Sequence, residues 1–194
     1  MLLAITAVLS AGAQDFTRKG GISVNIGGEP ALAGFNYYQN NTSDSNSLSG
    51  IYEPFTTEPG YAPMVSLTGE YILGRLLGLG ADLCWTSYSV AKYNGVTRKN
   101  LGEVTVNGIT FMPSVRAYWL NRDRFKLYSG LYGGVTASFS DDPGSSPASY
   151  KPAFEVVYLG IRVSIFGKGR IYGMAETMVG NVLNGGRFGI GIGF

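Results

Sequence analysis

The last eight residues, Arg187-Phe188-Gly189-Ile190-Gly191-Ile192-Gly193-Phe194, put a bulky apolar residue at every even position, while the odd positions hold glycine after the initial arginine. A helix, turning about 100° per residue, would scatter that pattern around its axis, whereas a strand sends alternate side chains to opposite faces. The segment is a strand with one apolar face and one nearly bare face. No stretch beyond Gln14 shows the i, i+3, i+4 spacing of an amphipathic helix, but the period of two recurs again and again between turn signals.

Seven further segments carry the pattern. Gly20 to Gly28 sets Ile22, Val24 and Ile26 against Ser23, Asn25 and Gly27. Met64 to Gly74 sets Val65, Leu67, Tyr71 and Leu73 against Ser66, Thr68 and Glu70, with Ile72 as a misfit. Leu77, Leu79, Ala81, Leu83 and Trp85 then alternate with Gly78, Gly80, Asp82, Cys84 and Thr86. The fourth places Ile109, Phe111, Pro113, Val115, Ala117 and Trp119 opposite Thr110, Met112, Ser114, Arg116 and Tyr118. Pro113 lacks a ladder donor, so a bulge or local break is expected there. Phe125 to Phe139 forms the fifth, with Lys126, Tyr128, Gly130, Tyr132 and Thr136 on the polar parity. In the sixth, Val157, Leu159, Ile161, Val163 and Ile165 face away from Tyr158, Gly160, Arg162 and Ser164. Ile171 to Gly180, the seventh, is less regular.

Eight strands of about ten residues in up-and-down order predict an all-β fold, a closed antiparallel barrel in which the last strand pairs with the first and no edge is left open. Short connections at 74–76, 121–124 and 167–170 alternate with longer ones at 29–62, 89–105 and 140–152, and the last, Asn181 to Gly186, is short. That asymmetry fits a transmembrane barrel with short periplasmic turns and long outer loops.

Alternation alone does not say which face is outside, because soluble barrels alternate too. Charge decides. Only 14% of the residues are charged, against about a quarter in soluble domains. The polar parity holds Gly, Ser, Thr and Tyr with a few isolated charges, too sparse for a solvated exterior and suited to a packed lumen. On this reading Glu70, Asp82, Arg116, Arg162, Glu176 and Arg187 point inward, with Lys126 near the periplasmic mouth. Counted from the nearest short turn, Glu70, Arg116, Arg162 and Glu176 share a level, and unpaired charges there are costly, so a salt-bridged plug is expected. A static filler and a gated or proton-conducting relay both fit that arrangement.

Trp119 and Phe125 flank one short turn while Trp85 and Phe139 stand at the far ends of their strands, as two aromatic girdles would. The short-turn end carries Arg18, Lys19, Arg75, Arg122, Arg124, Lys168 and Arg170 against Asp15 and Asp123; either anionic headgroups or solvent accounts for it.

Met1 to Ala13 is a short apolar run closing on Ala11-Gly12-Ala13, which reads as a cleaved signal peptide (1–13) ahead of a barrel domain (14–194), although the basic n-region is missing. The run is too short for a membrane-spanning helix. A net charge of +2 with scattered basic residues argues against nucleic acid. The single cysteine, Cys84, leaves no internal disulfide and reads as a small apolar residue. The chain has no histidine, the usual base of hydrolytic triads and the commonest transition-metal ligand. No catalytic, cofactor-binding or metal-ligating set is therefore expected.

The terminal segment resembles the C-terminal β-signal of outer-membrane proteins, carried by Phe188, Ile190, Ile192 and Phe194. With the leader and eight strands, the mature chain looks like the OmpA/OmpX-type outer-membrane β-barrel domain over essentially its whole length. The resemblance implies a bacterial-type outer membrane, its lipid as surroundings, the barrel-assembly machinery as a partner, and no additional periplasmic domain. It implies no particular activity. The expected role is structural or surface-interacting, through outer loops such as 29–62, whose Tyr, Asn and Ser residues make adaptable contacts with a ligand or protein. The alternative is a narrow channel for ions or small solutes. A closed barrel of this kind, folded in detergent, is expected to run faster on a gel unheated than boiled, and one band position for both samples would remove the fold.

Overall fold

The computed structural model describes residues 20–27, 55–56, 64–93, 97, 99–141, 148–166 and 170–194. The leader, Asp15, Arg18, Lys19, Lys168 and nearly all of 29–62 lie outside the described residues. Nine strands are described: β1 (Gly20–Gly27), β2 (Phe55–Thr56), β3 (Met64–Leu73), β4 (Leu77–Tyr93), β5 (Asn100–Asn121), β6 (Phe125–Ser140), β7 (Ser149–Phe166), β8 (Ile171–Gly180) and β9 (Gly185–Gly193). β2 is a two-residue pairing of Phe55 and Thr56 with Tyr93 and Lys92 of β4, beyond the end of β3. The other eight form a closed antiparallel barrel, in which each strand pairs with its sequence neighbours and β9 returns to β1.

Closure runs to the final residue. Gly21 to Gly27 pair with Gly193 to Arg187, and Gly20 and Phe194 exchange both backbone hydrogen bonds, at 2.9 and 3.0 Å. The chain turns from β3 into β4 through Gly74, whose φ of 69° lies in the left-handed region that glycine adopts without strain. Ile22, Leu67, Leu83, Phe111, Leu131, Ile190 and their like are exposed on the outside of the wall, while Ser23, Asn25, Thr68, Thr110 and Thr136 are buried within it. The interior is the polar face.

Strands β4 to β7 have 17, 22, 16 and 18 residues, against 8 to 10 for β1, β3, β8 and β9. One side of the barrel therefore stands taller than the other. The expected connection 89–105 is mostly hairpin stem, paired out to Tyr93 and Asn100, and 140–152 shrinks in the same way. The physical reason is an inversion of polarity. Beyond Trp85 and Ile109, which face each other, the inward residues Tyr88, Val104 and Val106 are apolar and buried, and the outward Ser89 and Glu103 are polar and exposed. Alternation continues there with the opposite sign, so the stem resembles a loop when judged by an apolar-out rule.

Of three local expectations, one changes. In β7 the register shifts at Tyr158–Leu159, opposite Ser129, whose hydroxyl donates to the Tyr158 carbonyl at 2.7 Å. This bulge turns Tyr158 and Leu159 both outward and reverses the parity beyond it, so that Val157, expected outside, is fully buried. At Pro113 the expected local break is present in the β5–β6 ladder, interrupted between Phe111 and Ser114, while pairing to β4 runs straight through. Ile72, the misfit, is buried inside near the short-turn end. In a Cys84→Ser background, cysteines replacing Tyr158 and Leu159 are both expected to react with a micelle-soluble maleimide, and one replacing Val157 to be protected. Reaction at only one of the adjacent pair would show a regular strand instead of a bulge.

Candidate functional site: the charged lumen

The inward parity of six strands delivers the charges. Glu70 comes from β3, Asp82 from β4, Arg116 from β5, Arg162 from β7, Glu176 from β8 and Arg187 from β9, and all six are buried, Arg116, Arg187 and Asp82 completely. They form one connected network. Arg162 grips Glu70 with both terminal nitrogens, Nη1 to Oε1 at 3.0 Å and Nη2 to Oε2 at 2.9 Å. Arg116 pairs with the same carboxylate through Nη1 and lies 3.4 Å from Glu176 through Nη2. Arg187 closes the series, donating through Nε to Glu176 and through Nη1 to Asp82.

Tyrosines complete the coordination. The hydroxyls of Tyr118 and Tyr128 donate to Glu70 and Glu176, and the Tyr132 oxygen accepts from Arg116 Nε at 2.9 Å and from Arg187 Nη2 at 3.3 Å. The Arg162 guanidinium stacks over the Tyr172 ring, 4.2 Å from its centroid. At the short-turn mouth Lys126 Nζ sits 5.8 Å from the Tyr118 ring centroid.

The rings fit because glycines lie beside them. A Cβ at Gly160 would stand 2.3 Å from the Tyr128 ring, and one at Gly191 would stand 2.4 Å from that of Tyr172. The bare face of the terminal segment is thus the space its neighbours occupy: Gly189 accommodates Asn25 in the same way. Asn25 in turn donates to Thr68 at 2.8 Å.

Towards the long-loop end apolar side chains join the buried serines and threonines of the lumen. Met64, Cys84, Met112, Met178, Ala153 and Val157 are buried there together with Val182 and Leu183, from the connection between β8 and β9. That connection folds inward. Asn181 anchors it, its Oδ1 accepting from Phe154 N at 2.8 Å and its Nδ2 donating to the Pro152 carbonyl at 3.0 Å. Leu183, fully buried, abuts Gly27, at which a Cβ would lie 2.9 Å from it.

Sequence reasoning missed this stopper and also missed Glu155. The β7 bulge carries Glu155 inside, where it is 1% exposed. A carboxylate on the parity assigned to the apolar exterior was the signal that the parity had to reverse. Of the girdle residues, Trp85, Trp119 and Phe139 are exposed on the outer wall, whereas Phe125 is only half-exposed. The terminal Phe188, Ile190, Ile192 and Phe194 all face outward, Phe188 at 70% and Phe194 at 66% exposure. Among the described residues no three or more His, Cys, Asp or Glu side chains are grouped as metal ligands.

No family model matches the chain, and no curated protein matches it in sequence. Among solved structures it is similar to the outer membrane protein OprG from Pseudomonas aeruginosa, with a TM-score of 0.44 and 15% identity over 91% of this chain and 97% of that one. The fold itself defines the class: a closed eight-stranded antiparallel barrel with an apolar wall and an ion-paired interior.

Among the described residues Arg187 is the sole arginine on Asp82, and it shares Glu176 with Arg116. Arg187→Met is therefore expected to cost about 3–5 kcal/mol, the usual penalty for stranding buried charge. Adding Asp82→Asn should recover part of it. Urea unfolding of the barrel in detergent, followed by the gel shift, measures both, and a double variant no more stable than the single one would show that the stranded charge is not the cause.

Proposed function

We propose that the chain is an outer-membrane barrel with a closed lumen, working as a structural or surface-interaction protein through its long-loop end. The polarity inversion at Trp85 and Ile109 carries this reading. On one side of that level the wall is apolar outside and polar inside, and on the other the hairpin stem is polar outside. Ten residue steps from Ile109 to Trp119, at about 3.3 Å per residue along a strand tilted about 40°, span about 25 Å, the height of a lipid-facing band. A continuous apolar wall of that extent is not compatible with water. Lipid is its natural solvent, and Trp85, Phe139 and Trp119 then lie at the two interfaces as girdles.

The β-signal reading of Phe188, Ile190, Ile192 and Phe194 fits the same picture, with the barrel-assembly machinery as the partner that reads the outward face of β9. The interior supports a plug rather than a path. Arg116, Arg187, Tyr128 and Leu183 are out of reach of solvent from either mouth, and a solute would have to break several buried ion pairs to pass. What remains accessible among the described residues is the tall β4–β7 side, and the 29–62 connection is proposed as part of the same surface from its sequence alone.

In planar bilayers the purified barrel is expected to give no steady current. Steady currents altered by substitution of Arg116 or Arg162 would replace this reading with that of a narrow channel. A detergent-independent soluble monomer would remove the membrane assignment.

A further inference from the structure

The chain's surplus of positive charge is gathered at one end of the barrel. Inside, four buried carboxylates face three buried arginines and the half-buried Lys126, so the lumen is balanced. Over the sequence, the segments at the short-turn end hold seven basic residues and two acidic ones, whereas the long connections, 29–62, 92–103 and 141–151, hold four basic and seven acidic. Four basic residues of the short turns are described, Arg75, Arg122, Arg124 and Arg170, and all four are exposed, as is the acidic Asp123 between two of them. Among the described residues none of these four side chains has an ion-pair partner.

The turns that carry them are tied into one rim. Asn121 Nδ2 donates to the Arg75 carbonyl at 3.2 Å, joining the β3–β4 turn to the end of β5. Ser164 N donates to the Arg124 carbonyl and Gly193 N to the Arg170 carbonyl, both at 2.8 Å, joining the next two turns to β7 and β9. The rim also borders the apolar wall. Arg75 directly precedes the exposed Leu76 and Leu77, Arg170 directly precedes Ile171, and Arg122 lies three residues beyond the exposed Trp119. At about 3.3 Å per residue each is within about 10 Å, along the chain, of an outward apolar side chain.

With lipid against that wall, this is the depth of the headgroups. A guanidinium there meets phosphate, and its planar fork takes two phosphate oxygens at once. A zwitterionic headgroup sets a cation beside its phosphate, so an anionic one gains the larger attraction. The placement favours lipid over a protein partner. All three short turns carry at least one of these arginines, and a bilayer leaflet meets every turn of a barrel, whereas a docked protein covers one side.

We propose that the short-turn rim binds anionic phospholipid, with Arg75, Arg122, Arg124 and Arg170 holding headgroup phosphates at the edge of the wall. This rests on the membrane reading proposed above and gives that edge a particular lipid chemistry.

The two tryptophans of the chain make the test local. Trp85→Phe leaves Trp119, near the rim, as the reporter, and Trp119→Phe leaves Trp85, near the other edge. Each variant is reconstituted in mixed phosphatidylcholine and phosphatidylglycerol vesicles with brominated acyl chains on one lipid or the other, and quenching gives the relative binding of the two lipids. At Trp119 phosphatidylglycerol should be preferred about fivefold at low salt, the effect of one basic residue at an anionic surface. The preference should fall as salt rises, and Trp85 should show none. Combining Arg75→Gln, Arg122→Gln, Arg124→Gln and Arg170→Gln, with folding checked by the gel shift, should abolish it. Should that variant not fold, Arg122→Gln with Arg124→Gln, close to Trp119, carries the same reading. Equal quenching by the two lipids at Trp119, the same preference at Trp85, or a preference that survives the substitutions overturns the proposal and leaves the membrane reading in place. No quenching by either lipid removes that reading and the lipid rim with it.

Discussion

Three buried guanidiniums govern how the rest of this barrel is built. An arginine inside a narrow lumen needs its full set of donors satisfied, because in a low-dielectric interior an unserved charge costs several kcal/mol. Arg116, Arg162 and Arg187 have their charge compensated by sharing carboxylates across the lumen instead of pairing one to one, with Glu70 bridging Arg116 and Arg162, and Glu176 bridging Arg116 and Arg187; Arg162 Nε alone among their nitrogens is buried without a partner among the described residues. The bridges join β3 to β5 and β7, and β8 to β5 and β9. Partners on opposite walls have to be present before any of these charges is compensated. The network therefore opposes register slips that backbone pairing alone would tolerate, since a slip of one residue would send a whole strand's charges to the other face.

The glycines follow from the same demand. The Tyr128 and Tyr172 rings must lie flat against neighbouring strands to present an edge or hydroxyl to the arginines and carboxylates, and only a residue without a Cβ permits this at Gly160 and Gly191. The low charge content of the sequence and its wealth of glycine are thus two aspects of one design. The exterior needs no charge, and the interior needs space for a few charges with their aromatic partners.

Much of this was legible from period and composition. Closed topology, the inward set Glu70, Asp82, Arg116, Arg162, Glu176 and Arg187, and the outward face of the last strand all follow from counting alternate residues. What escaped were the places where the count changes phase or the polarity changes sign. The bulge at Tyr158–Leu159 gives no pattern of its own in a run of apolar residues, so Val157 and Tyr158 fell on the wrong sides of the wall and Glu155 was passed over. The hairpin stem beyond Trp85 keeps its period but exchanges the chemistry of its two faces, which reads as a loop to any rule that looks for apolar residues outside. The inward tuck of Val182 and Leu183 depends on Asn181 pairing with β7, a contact between segments about 29 residues apart that no local pattern encodes.

The inward turn of Glu155 shows what a charge on such a strand demands. Had β7 continued without its bulge, this carboxylate would have faced outward beside Val157 and Leu159, and Phe154, Val156 and Tyr158 would have turned into the lumen. A bulge costs one ladder position. A charge on a lipid-facing position costs more, up to about 2–4 kcal/mol for a basic residue at mid-bilayer and somewhat less for an acidic one. The bulge removes that penalty but transfers the problem to the interior, where the arginines are already committed. A carboxylate kept there lies against Gly180, with Arg187 as its attracting charge and the Leu183 backbone beside it, so the bulge that clears the wall also sets a polar group of β7 against the connection that closes the lumen.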